Sequence, residues 1–227
     1  MKKLVIIPAY NEEQTIVRVC NEIRENAPEY DIVVINDCST DSTTALCLAN
    51  GIRVIDLSVN LGIGGAMQTG YRYDAGNGYD IAVQVDGDGQ HDPFYINAMY
   101  EALVSENADL VIGSRFLEDA GYKSTRLRRL GIRYFSLLIR LLTGHTVTDP
   151  TSGFRMTGRR LMEDFSKDYP RDYPEPESIV RVLDQGGRLV EVPVRMRQRA
   201  GGVSSISLKS AVCYMIKVTV AIILGKK

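Results

Sequence analysis

Three carboxylates fall within seven residues of one another in QVDGDGQHD, residues 84–92, directly after the apolar run Ile81, Ala82 and Val83. Asp86 and Asp88 are two apart, and Gly87 between them lets the backbone bend so that both carboxylates address one point. Hard oxygen ligands of this kind suit Mg²⁺ or Mn²⁺, whose shells are usually completed by waters and a substrate's phosphates. An ion bridging a diphosphate stabilises it as a leaving group. An acidic turn, with Asp and Gly chosen for turn geometry alone, uses the same residues. The pair by itself leaves both readings open.

The surrounding pattern supplies a scaffold for these acids. LVIIPAY (4–10), DIVVIND (31–37), IRVIDL (52–57), YDIAVQVD (79–86) and ADLVIGS (108–114) read as buried strands. Between them lie helical stretches: Asn11 to about Pro28, residues 41–50 closed by Gly51, the segment growing out of NLGIGG, and residues 92–107 with Pro93 in the first turn. Strands alternating with helices predict an α/β fold with a mostly parallel sheet. Ligands of such sheets bind in the crevice at the carboxyl ends of the strands. Tyr10, Asn11 and Glu12, then Asp37, then Asp86 and Asp88, then Ser114 and Arg115, all fall there. Beyond residue 115 the pattern predicts an Arg-rich helix over 125–144 and a loop leading into a short strand or turn over 148–160. A helix from YPEPES to about Gln185, a strand over 188–199 and a C-terminal helix follow.

A formal net charge of −1 hides a division. Residues 120–148 hold Lys123, Arg126, Arg128, Arg129, Arg133 and Arg140 and no acid, and residues 192–227 hold seven basic residues and no acid. Two acid-free segments in one half point to a polyanionic partner, a phosphate, a nucleic acid or an anionic membrane, against a merely solvated charged surface. Cys20, Cys38, Cys47 and Cys213 lie far apart, which argues against a zinc site or disulfide framework and for reduced thiols in a cytosolic setting. The apolar stretch after Met1 is too short for a signal peptide. With 227 residues the chain fits one domain with a small appendage.

Taken in order, PAYNEE, INDCSTDST, NLGIGGAMQTGY and QVDGDGQHDP resemble the family 2 glycosyltransferases, over residues 4–205. VIGSRF, the Arg-rich helix and TDPTSGFRMT look most like the branch of dolichol-phosphate mannosyltransferases and polyprenyl-phosphate glycosyltransferases. The resemblance implies the GT-A fold, a three-layer α/β/α arrangement with a mostly parallel sheet, over 1–205, followed by an amphipathic helix over 206–227. It implies a nucleotide-diphosphate sugar donor and a divalent cation, Mg²⁺ or Mn²⁺, held by Asp86 and Asp88 with Gln90 nearby. Pro8, Tyr10, Asn11 and Glu12 line the nucleotide pocket on this reading, and Asp37 accepts a hydrogen bond from the base. Gly64 and Gly87 belong to segments that approach the sugar and diphosphate. Arg115, Arg128 and Arg129 hold the acceptor's phosphate, Asp149 orders the acceptor side, and Arg199 closes over the diphosphate. Two positions depart from the branch's pattern: Ile132 stands where a Ser is expected, and Ser205 where a Lys is expected.

An acceptor phosphate is already anionic and needs no general base, so arginines and a metal suffice to position it and screen its charge. The expected reaction is single displacement with inversion onto a polyprenyl phosphate. An acceptor sugar hydroxyl is the alternative, in polysaccharide or glycoconjugate assembly, and would require a base, with Asp149 first in line. A nucleotidyltransferase fits poorly because PAYNEE lacks the Gly-rich and Lys-bearing first loop. A nucleic-acid-binding module would not explain the acids at the strand ends, so no nucleic-acid partner is expected. The tail AVCYMIKVTVAIIL is shorter than the ~20 apolar residues a spanning helix needs. It and the 125–142 helix are expected to lie in the membrane interface or to pack on the domain. The expected protein is cytoplasmic and peripherally associated with the membrane, directly or through a membrane partner, with room for a homo-oligomer.

Overall fold

A computed structural model of the chain describes residues 1–117, 126–172, 174–197 and 208–225. Its strands are β1 (Lys3–Ala9), β2 (Tyr30–Asn36), β3 (Val54–Asp56), β4 (Ile81–Gln84), β5 (Leu110–Ser114), β6 (Arg155–Gly158) and β7 (Leu189–Pro193). Its helices are α1 (Ile16–Asn26), α2 (Thr43–Ala49), α3 (Gly62–Asn77), α4 (Ile96–Ser105), α5 (Arg126–Thr143), α6 (Arg159–Lys167), α7 (Pro174–Asp184) and α8 (Leu208–Gly225). The strands join in the order β3-β2-β1-β4-β6-β5-β7. All neighbours are parallel except β6, which runs antiparallel to β4 and β5.

The strands are apolar on both faces because helices cover both. Val5 and Ile7 of β1 face α1, α2 and α4, while Leu4 and Ile6 face the core built with α3, α5, α6, α7 and α8. On that second side Tyr71 of α3 meets Phe165 and Tyr169 at ring distances of 5.3 Å each, which ties α3 to the α6 region. Val218 and Ile222 of α8 are buried in the same core.

Two local expectations change and a third is met. The helix expected from Asn11 begins at Ile16. Asn11 takes a left-handed backbone, and the amides of Asn11, Glu12 and Glu13 donate to Ser39, Thr43 and Asp41 across the loop after β2. Those cross-loop bonds replace a helical first turn. The loop expected to lead into a short strand or turn over 148–160 does so: β6 is that short strand, and it stands between β4 and β5 in the sheet. The last strand ends at Pro193, not near residue 199.

Asp74 of α3 is buried, with one side-chain oxygen that has no hydrogen-bond partner. Burial raises its carboxyl to about 6, Arg159 offsets part of that rise, and Asp80 and Glu163 add to it. The folded chain therefore holds this proton more tightly than the unfolded one. Stability is lost as pH climbs from about 4 to about 6 and levels off above. Asp74→Asn should be stabilising by roughly 1–3 kcal/mol at neutral pH and by little near pH 4. Urea unfolding of both forms across that range is the measurement, and a pH-independent difference would contradict it.

Candidate active site

The polar clusters meet along one edge of the sheet. On one side, the loop after β1 is stitched to the loop after β2. Asn11 Oδ1 accepts from Thr40 N at 2.8 Å, and Glu12 Oε2 accepts from the Thr15 hydroxyl at 3.0 Å. Burial acts to raise the Asp41 carboxyl, but bonds from Thr43 and the Glu13 amide outweigh it and hold the group below its usual range. Tyr10 is half exposed beside this loop. Asp37 is buried, and its two oxygens accept from Leu61 N at 2.7 Å and Gly62 N at 2.9 Å. A carboxylate at the amino end of α3 is where the helix dipole favours it. Asp37 thus holds the glycine-rich turn in place. Gly64 serves packing in the same turn: its amide donates to Arg171 O at 3.2 Å, and a Cβ there would overlap the carbonyl oxygens of Pro170 and Arg171.

The acid pair follows β4. Gly87 N donates to Pro8 O at 3.4 Å, which sets the turn against the end of β1. Asp86 Oδ1 accepts from Gln84 Nε2 at 3.0 Å, and its other oxygen lies 3.5 Å from His91 Nε2. His91 Nδ1 accepts the Asp86 amide at 3.0 Å, so the ring proton sits on Nε2 and faces the carboxylate. The ring stacks on Phe154 with centroids 4.9 Å apart. Asp88 is buried, with Oδ1 accepting from Gln90 N at 2.9 Å. Gly153, just before β6, completes the surround: a Cβ there would stand 3.1 Å from Gln84 Nε2 and 3.4 Å from Asp86 Oδ2.

The basic side is built differently. Arg115 at the end of β5 makes a bidentate pair with Asp149, at 2.6 Å from both Nε and Nη2, with 4% and 0% of the two residues exposed. Nη2 also donates to Thr151 Oγ1 at 2.9 Å. Glu191 of β7 accepts the amides of Thr148 and Asp149 at 2.7 and 2.9 Å, and Ser152 donates to Gly113 O at 2.6 Å. Asp149 is therefore committed to ordering this loop and is closed to solvent. Arg128 and Arg129 occupy the first turn of α5, where Arg129 is exposed. Ile132, the position of the expected Ser, is buried under that helix. Arg199 lies outside the described residues. The chain leading to it is clamped beside the acids: Arg197 N donates to Gln90 O at 2.9 Å, and its guanidinium pairs with Glu22 and, at 2.9 Å, with Asp92.

The profile described as glycosyl transferase family 2 matches residues 4–165. The chain is 32% identical to undecaprenyl-phosphate mannosyltransferase of Micrococcus luteus over 91% of its own length and 88% of that protein. The chain belongs to glycosyl transferase family 2. It is also 31% identical to polyprenol monophosphomannose synthase of Mycolicibacterium smegmatis, over 91% of this chain and 81% of that one. Among solved structures it is similar to glucosyl-3-phosphoglycerate synthase of Mycobacterium tuberculosis, with a TM-score of 0.77 at 24% identity over 99% of this chain and 79% of that one. That likeness places the fold among the GT-A glycosyltransferases. The same synthase has been crystallised with Mn²⁺ and uridine diphosphate.

For a glycosyltransferase, the residues here fit a hard divalent cation. Among the described residues no three His, Cys, Asp or Glu side chains converge as a ready metal cage. Asp86 and Asp88 offer oxygen donors of the type Mg²⁺ and Mn²⁺ prefer when waters and phosphates supply the rest. Sequence reasoning missed Gly153 as the space beside Asp86 and Glu191 under the Asp149 loop. Gly153 and Glu191 stand too far along the chain from the groups they support to leave a spacing to read.

The buried pair yields a prediction. Asp149→Ala leaves the Arg115 guanidinium buried without its carboxylate, so it should lower unfolding stability by about 3–5 kcal/mol. Adding Arg115→Met should restore a good part of that loss. Chemical denaturation of the single and double variants is the check, and equal stabilities in both would contradict the coupling.

Proposed function

We propose that this transferase moves a hexose from a nucleoside-diphosphate sugar onto the phosphate of a polyprenyl lipid, with inversion at the anomeric carbon. The observation that carries the reading is the acid pair Asp86 and Asp88 at the strand-end crevice, in a chain about one-third identical to enzymes named for polyprenyl-phosphate acceptors. A bound Mg²⁺ or Mn²⁺ would be held by Asp86 and Asp88 and would neutralise the departing diphosphate.

The protein's own residues account for the rest. The stitched loops of Asn11, Glu12 and Asp37 shape the nucleoside side of the crevice. An acceptor phosphate oxygen forms the new bond to the anomeric carbon as the bond to the nucleoside diphosphate breaks. Because that oxygen is already anionic, no base has to take a proton. This suits a site in which Asp149 is sealed into an ion pair. Arg128, Arg129 and Arg199 are assigned to phosphate contacts, where a planar charged fork meets phosphate oxygens bidentately.

The same reading places the protein against a membrane surface. Among the described residues no helix is long and apolar enough to cross a membrane. On α5, Ile132, Phe135 and Ile139 face the core, while Leu130, Leu137 and Leu141 are exposed. On α8, Val218 and Ile222 face the core, while Ile216, Val220 and Ile223 are exposed. Tyr134 and Thr219 join the two helices at 2.8 Å. Exposed Arg129, Arg133, Arg140 and Lys217 stand on these same helices. Apolar stripes edged by cations suit the interface of an anionic membrane that carries the lipid acceptor.

Two outcomes test this. With nucleotide sugar, Mn²⁺ and polyprenyl phosphate, label should enter a chloroform-soluble product, and Asp88→Ala should reduce that transfer by 100-fold or more, about 3 kcal/mol or above. Label confined to aqueous oligosaccharide would refute the lipid acceptor. Replacing Leu137 and Leu141 by Ser should weaken co-sedimentation with phosphatidylglycerol vesicles about tenfold or more while the fold's melting temperature holds. Undiminished vesicle binding would refute the interfacial role of α5.

A further inference from the structure

After Pro193 the chain leaves the sheet, where Val194 N donates to Ser114 O at 2.9 Å. Three residues on, Arg197 is attached twice. Its amide donates to Gln90 O at 2.9 Å, and its guanidinium bridges two carboxylates from separate parts of the chain. One is Glu22 of α1, on Nη1; the other is Asp92, 2.9 Å from Nη2. Glu22 lies in turn 3.8 Å from Arg18, one helical turn earlier. Arg18 stands over Gly89, which has a left-handed backbone, and a Cβ on Gly89 would come within 2.8 Å of Arg18 Nη2. Charges of alternating sign, on Arg18, Glu22, Arg197 and Asp92, thus run along the turn that carries Asp88.

The two acids of that turn are held in different ways. His91 braces Asp86, while Asp88 Oδ1 is anchored on Gln90 N at 2.9 Å. Gln90 is therefore held from both sides, its amide by Asp88 and its carbonyl by Arg197 N. Asp92 caps the short turn that starts at Pro93, accepting from Phe94 N at 3.1 Å, and the same oxygen takes the Arg197 guanidinium. Arginine suits this bridge because its planar fork offers donors in two directions at once, which a lysine ammonium does not. Committed to two carboxylates, the guanidinium is not available to a phosphate. Its side chain is 38% exposed, and ion pairs so open to water add little to overall stability. The effect of the bridge is local: it fixes the segment leaving β7 against the acid turn.

Resting on the metal-dependent reading above, we propose that Arg197 is a positioning residue for the divalent cation: it touches neither ion nor sugar nucleotide, and it holds Gln90 so that the Asp88 carboxylate is set toward the crevice. Groups that orient a metal's ligands commonly alter its affinity by roughly 10- to 100-fold when removed. Without the guanidinium, the clamp on Gln90 loosens and the Asp88 carboxylate has to be ordered as the ion arrives, which weakens binding.

Titration of Mn²⁺ into the full chain with uridine or guanosine diphosphate tests this, with unbound Mn²⁺ followed by electron paramagnetic resonance and the nucleotide by calorimetry. For whichever nucleotide the wild type binds, Arg197→Gln should raise the Mn²⁺ concentration at half-saturation roughly tenfold or more. At saturating Mn²⁺ its affinity for that nucleotide should return to within about twofold of wild type. Arg197→Lys and Glu22→Gln, which each keep part of the bridge, should fall between. Arg188→Gln, which breaks a surface pair with Glu106 near the opposite end of β7, should leave the half-saturation point unchanged. Melting temperatures show which forms are folded, and if Arg197→Gln is not, Arg197→Lys and Glu22→Gln decide. An unchanged half-saturation point would make the bridge structural only and overturn the proposal. A nucleotide affinity that stays low at saturating Mn²⁺ would overturn it too, since Arg197 would then belong to the nucleotide pocket. If the wild type binds neither nucleotide at any Mn²⁺ concentration, the donor reading itself fails and this inference falls with it.

Discussion

Arg115 and Asp149 are both closed to water and joined by two short bonds, and one flank of the crevice is organised around them. A charge pair in such a place is costly unless every lone pair and proton is met. Here the condition is satisfied by Thr151 on the guanidinium, by the Arg115 amide on the carboxylate, and by Glu191 beneath the loop backbone. With the loop fixed, Ser152 reaches Gly113 and β6 enters the sheet between β4 and β5. That entry brings Gly153 against Asp86 and Phe154 under His91, so an ion pair on one strand end orients the acid pair on another.

The opposite flank reaches the same end with hydrogen bonds in place of a buried ion pair. Hydroxyls and carboxylates of Ser39, Asp41 and Thr43 take up the amides of residues 11–13, and Asp37 takes up those that open α3. Backbone groups at strand ends have lost their sheet partners, and short polar side chains are the nearest replacements. Among the described residues, both flanks of the crevice are therefore held by bonds within the protein, which lowers the ordering cost of binding.

Helices α5 and α8 show why a periodic apolar helix need not have a single role. Each sends one stripe into the core and leaves another outside, with cationic side chains along it. Core packing and surface contact are both met by one helix whose apolar arc is wider than the core can cover.

The sequence alone determined the alternation of strands and helices, the edge of the sheet where ligands gather, and the acid pair with its glycine. These follow from local chemistry: apolar runs of strand length, turn residues after them, and carboxylates two apart. Asp86 and Asp88 were legible for that reason, as were Asn11, Glu12 and Asp37 at their strand ends. What only the tertiary structure decided is the employment of each group. Asp149 precedes a proline and reads as a turn residue or a base, yet the fold buries it against a guanidinium 34 positions earlier. Gly64 reads as room for a ligand, yet the backbone of residues 170–171 fills that room. The short strand expected within 148–160 took a central place, at residues 155–158, because its pairing partners lie on β4 and β5, which no local propensity encodes. Sequence spacing fixes which groups can meet within one element; which groups do meet across elements is set by the packing of the whole sheet.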